Sequence, residues 1–146
     1  MLNKRPAMSK QISAFLILII TSISCENIHD GIDKIPEGVY TGTFQRQLAF
    51  GGGDIAQVTI TFYSNNYSGV SDKPKYPALC DGTYNIEKQK IKFMNTCIWT
   101  AEFDWSLILS GEYDFTLNGK QLIITRSSLG PSNDSWTDKY TLTKQE

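Results

Sequence analysis

Residues 80–97 read Cys80-Asp-Gly-Thr-Tyr-Asn-Ile-Glu-Lys-Gln-Lys-Ile-Lys-Phe-Met-Asn-Thr-Cys97. Two short runs in this stretch alternate apolar and polar residues, which is the two-residue period of a strand. Glu87-Lys-Gln-Lys90 separates them. With Lys88-Gln89 as a two-residue loop, Ile86 faces Ile91, Tyr84 faces Phe93 and Cys80 faces Cys97. Apolar residues then meet apolar residues, and the cysteines meet each other. Counting outward from the loop, the cysteines fall in a non-hydrogen-bonded pair, where side chains approach most closely. Lys-Gln is not a favoured loop pair, so the cysteine match carries the register.

The same period runs outward on both sides. Tyr40, Gly42 and Phe44 alternate with Thr41, Thr43 and Gln45, and Ala56, Val58, Ile60 and Phe62 with their polar neighbours. A third long run has apolar odd positions from Trp99 through Phe103 and Trp105 to Leu109. A second hairpin centres on Asn118-Gly119, a strong turn dipeptide, which sets Phe115 against Leu122 and Tyr113 against Ile124. A last strand is expected at Ser135 to Thr143. No window carries a helical period. Gly51-Gly-Gly53, residues 71–79 and residues 128–134 read as the main loops, and Pro74 and Pro77 forbid an ordinary central strand. About nine strands joined by local turns predict an all-β domain, an antiparallel up-and-down β-barrel of eight to ten strands, because closure removes exposed edges.

The first 24 residues differ from the rest. Lys4, Arg5 and Lys10 precede an apolar run, Ile12 to Ile23, with no acid among them. A basic start and a short apolar stretch describe a signal peptide, and the run is shorter than the ~20 residues of a membrane span. Ser22-Ile-Ser-Cys25 resembles a lipobox, with small Ser24 before the cysteine and Ser22 where that pattern prefers Leu, Val or Ile. The resemblance implies cleavage before Cys25, a thioether-linked diacylglycerol there, and a further N-acyl chain such as palmitate. More than one chain gives stable anchoring. The expected organisation is a signal peptide at 1–24, a lipidated tether at 25–37 and a barrel at 38–146, exported and anchored to the cell envelope, in the outer membrane.

Composition narrows the function classes. The chain of 146 residues has 14 basic and 15 acidic residues. Losing the leader leaves a mature charge of about −4, with no basic patch, so a nucleic-acid partner is not expected. A Cys80–Cys97 disulfide suits an exported domain. His29 is the single histidine and lies in the tether, so the domain lacks the base of a nucleophilic triad, and no metal site or cofactor is expected. Glu102 with Asp104 and Glu112 with Asp114 share strand faces, as a glycosidase pair could. Acids alternating with inward aromatics are more often the wet side of a sheet, and no catalytic residue is assigned. Gly51-Gly-Gly53-Asp54 lacks the Lys-Ser/Thr of a phosphate loop.

Gly38-Val-Tyr40 opens the first strand where lipocalin-like proteins carry Gly-x-Trp. Gly111-Glu-Tyr113, Leu117-Asn-Gly119, Leu122-Ile-Ile-Thr-Arg126 and the closing Tyr140-Thr-Leu142 are similar to the late strands of small bacterial lipocalin-like lipoproteins. The resemblance spans roughly residues 37–144. It implies a calycin-type barrel with an apolar ligand cavity. The strand period points Tyr40, Phe44, Phe62, Tyr84, Phe93, Trp105, Tyr113, Phe115 and Tyr140 inward. Two functions stay open. One is a membrane-anchored carrier holding a small apolar ligand among those residues. The other is a protein-interaction module, an inhibitor or envelope assembly subunit, whose barrel is filled by its own side chains.

Overall fold

A computed structural model describes residues 32–130 and 135–146. The expected signal peptide, Cys25, His29 and most of the expected tether lie outside the described residues. Eight antiparallel strands form a closed up-and-down barrel. They are β1 Gly38–Leu48, β2 Gly51–Tyr63, β3 Asn66–Ser71, β4 Asp81–Glu87, β5 Lys90–Asn95, β6 Gly111–Asn118, β7 Gln121–Ser128 and β8 Trp136–Lys144. Each pairs with its sequence neighbours, and β8 closes on β1 from Tyr40↔Lys144 to Leu48↔Trp136.

The β4–β5 hairpin has the expected register, with Ile86 on Ile91 and Tyr84 on Phe93. Its loop residues Lys88 and Gln89 both take positive φ, 50° and 66°. This is the type I′ requirement that Asn-Gly usually meets. The named pairs end at Gly82↔Asn95, and Thr96 N donates to Asp81 O at 3.0 Å just beyond. The Cys80–Cys97 disulfide follows, its Cα atoms 6.4 Å apart.

Three expectations are corrected. The run Trp99–Leu109 is not a strand. β5 and β6 pair directly, which leaves no place between them, and Asp104 instead caps a short 3-10 turn at Trp105–Leu107. Glu102 and Asp104 therefore share no strand face. The late hairpin turns at Gly119-Lys120, so Phe115 meets Ile124 and Leu117 meets Leu122. Gly119 is then the first loop residue, with φ 57°, where a type II′ turn places glycine. The slip is two residues, which leaves every side chain on its expected face. Finally, Gly51-Gly-Gly53 opens β2, and only Ala49-Phe50 joins it to β1. A side chain at Gly53 would collide with Arg46 O and the Tyr76 hydroxyl, each 2.7 Å from its Cβ position.

The two ends of the barrel differ. The tether end carries two-residue turns at residues 64–65, 88–89 and 119–120. Ile35 is buried there, and the Tyr40 hydroxyl donates to Pro36 O at 2.8 Å, so the last tether residues pack into the fold. The opposite end, the loop end, carries residues 49–50, 72–80, 96–110, 129–130 and 135. Two of these loops are joined by the disulfide and by an Ala78–Ile108 bridge.

Candidate functional site

Seven of the nine residues expected inside are buried there: Tyr40, Phe44, Phe62, Tyr84, Phe93, Tyr113 and Tyr140. Phe115 packs against them half-buried. Trp105 does not join them. It sits on the 3-10 turn with 56% of its surface exposed, because the segment carrying it is not a strand. The rings form a continuous series of contacts. Tyr40 meets Phe62, Phe62 meets Tyr84 and Phe93, Phe93 meets Tyr113, Tyr113 meets Tyr140 and Tyr140 meets Phe44, with centroids 4.7–6.4 Å apart. Edge-to-face contacts at these separations are favourable beyond the area buried. Burial pushes the Tyr67 and Tyr84 hydroxyls up to about 12 and raises those of Tyr113 and Tyr140 further. These tyrosine hydroxyls thus stay neutral at any ordinary pH.

Above the rings, at the loop end, lies a buried ion cluster that strand parity alone did not bring to notice. Arg46 continues the inward series Tyr40, Gly42, Phe44. Its Nε and Nη2 donate to the two Asp138 carboxylate oxygens at 2.7 and 2.9 Å. Nη1 donates to Asp104 Oδ2 at 2.7 Å and Ser106 Oγ at 2.8 Å, and Nη2 also reaches Ser106 O at 3.1 Å. All five guanidinium donors are therefore used. Burial lowers the Arg46 pKa, and Asp138 and then Asp104 more than reverse that, leaving it above its ordinary value.

Arg126 extends the inward series of Leu122 and Ile124. It donates to Ser110 O, to Ser106 O and, at 3.3 Å, to Asp138. Its guanidinium lies 4.5 Å from the Tyr113 ring centre, while Trp136 covers both arginines, 4.1 Å from Arg46 and 5.1 Å from Arg126. Asp138, 1% exposed, is the anion the two cations share. Breaking such a desolvated set by removing one partner costs about 3–5 kcal/mol.

The cluster ties the 96–110 loop, which carries Ile98, to β1, β7 and β8. Phe50, Leu129 and Ile98 are 82%, 91% and 99% exposed, and all three lie at the loop end. Leu48, Phe50 and Trp136 line a groove of about 600 Å³ together with Arg46, Asp104 and Ser106. Trp105 lies between the last two. Elsewhere Glu112 and Asp114 flank Lys90 at 3.4 and 2.9 Å, an ordinary cross-strand ion pair. Among the described residues, the Tyr113 hydroxyl, Arg126 Nε and Asn95 Nδ2 are buried polar atoms at this end without a hydrogen-bond partner.

No family model, curated protein or solved structure matches this chain.

Proposed function

We propose that this chain is an exported lipoprotein, held at the membrane by acyl chains on Cys25, that presents its loop end to a protein partner. One observation carries the reading. The interior is packed with the chain's own aromatic rings, while the three most exposed large apolar side chains, Phe50, Ile98 and Leu129, each stand on a loop at the end opposite residues 32–37. Exposed apolar clusters with a polar surround are the usual mark of an interaction surface. On this reading, anchoring through the opposite end leaves that surface facing away from the membrane. The lipocalin-like carrier reading would need the Phe44–Tyr140 and Phe93–Tyr113 contacts to part before a ligand could enter, and it ranks second on that ground. The disulfide agrees with an extracytoplasmic setting.

Site-specific photo-crosslinking in intact cells tests this reading. A photoreactive residue at position 50 or 129 should give a discrete adduct with one envelope protein. The same residue at position 88 or 120, on the tether-end turns, should not. Equal adducts from both ends, or none from either, would contradict it.

A further inference from the structure

The outer wall of the barrel carries a second feature, on the face of β2, β3 and β4. Outward residues of β2, β3 and β4 fall into two rows across the strands. Tyr63 pairs with Asn66 and Asn66 with Thr83, while Thr61 pairs with Ser68 and Ser68 with Asp81. These residues line a shallow hollow of about 350 Å³, with Thr96 on its far side. Its floor is unusual. Gly82 lies in β4 beneath the hollow with no room for a side chain, since a Cβ there would stand 2.2 Å from Met94 O and 2.6 Å from the Tyr67 ring packed on the barrel's inner side. Tyr63, 68% exposed, and Met94, 50% exposed, stand as apolar flanks.

We infer that this hollow is a binding site for a neutral oligosaccharide. The ring face of Tyr63 is electronegative and attracts the C–H face of a pyranose. Asp81 and Asn66 supply the acceptor and donor that adjacent sugar hydroxyls need, and four hydroxyl side chains complete the rim. The lining contains no Lys, Arg or His, and among the described residues Asp81 enters no ion pair. Its carboxylate would repel an acidic sugar. Two inter-strand steps span about 10 Å, the length of about two pyranose rings. The disulfide has a role here, since Cys80 adjoins Asp81 and Cys97 adjoins Thr96. It holds these two lining residues in register, together with the Thr96 Oγ1 bond to Asp81 O at 3.0 Å.

The test is an amide-resonance titration of the full chain in a sugar-free detergent. The probes are the linear hexasaccharides of β-1,4-glucose, α-1,4-glucose, β-1,4-xylose and β-1,4-N-acetylglucosamine. At least one should bind saturably, with a Kd of about 1 mM or tighter, and shift the amides of residues 61–68 and 81–83. Tyr63→Ala and Asp81→Asn alter exposed side chains, so the spectrum should stay folded while affinity falls about tenfold or more. Reduction of the disulfide should weaken the same binding. The inference is overturned if no probe binds, if the shifts map elsewhere, or if both variants bind as the parent does.

Discussion

The two ends of this barrel are held by different physics. The tether end is built from neighbours in sequence. Its two-residue turns join adjacent strands, Lys34 pairs with Glu37 three residues away, and Ile35 is buried in the core just ahead of β1. The loop end is built from distant residues. Arg46 binds Asp138, 92 positions along the chain, and Asp104, 58 positions away. Local turns therefore dominate the first end, where β8 also closes on β1 at Tyr40↔Lys144, and long-range ion pairs dominate the second. The loop end is also where partial loss of structure should begin.

The largest difference should come from Asp138→Ala. It leaves buried Arg46 and partly buried Arg126 without their shared anion, and should cost about 3–5 kcal/mol in chemical denaturation. A loss below about 1 kcal/mol would mean that the cluster contributes no more than an exposed pair. Next comes the disulfide, which closes a separation of 17 residues. Cys80→Ser with Cys97→Ser should cost about 3 kcal/mol. Hydrogen exchange should quicken in residues 72–80 and 96–110 before it does in the tether-end turns. Uniform quickening would erase the distinction between the ends.

A change at the tether end should act in the opposite direction. Lys88 and Gln89 hold positive φ without a glycine, so Lys88→Asn with Gln89→Gly should stabilise by about 1 kcal/mol. A destabilised double variant would argue against the turn geometry. The smallest effect concerns pH. Burial raises the Asp104 carboxyl, but its bonds from Ser106 and the nearby Arg46 more than reverse this and set it below its ordinary 3.8. A depressed carboxyl contributes stability above its unfolded value and loses it as pH falls through the folded one. Exchange at residues 104–108 should therefore rise below about pH 4, and Asp104→Asn should remove that dependence.

The sequence exposes the local half of this structure well. Alternation sets the faces of Tyr40, Phe44, Phe62, Tyr84 and Phe93, and matched cysteines set the β4–β5 register. Alternation misleads at Trp99–Leu109, where the period is present but no unpaired strand edge remains to receive it. Asp104 finds its own hydrogen bonds in a turn instead. The ion cluster leaves a trace that is visible only when strands are compared. Arg46, Arg126 and Asp138 each fall on the inward parity of an otherwise apolar series, and all three sit at strand ends that topology brings to the same rim. A single inward charge reads as a frayed strand end, whereas two cations and one anion at one level read as a cluster. The β2–β4 hollow leaves less trace, because its rows exist only once three registers are known.

The central claim is that the barrel is filled and acts through its surface. Native mass spectrometry of residues 26–146, exported to an oxidising compartment and purified without detergent, tests it most directly. The account predicts a single species at the bare chain mass less two hydrogens for the Cys80–Cys97 bridge. A discrete added mass that survives gentle desorption, and is released as a lipid on denaturing extraction, would contradict it.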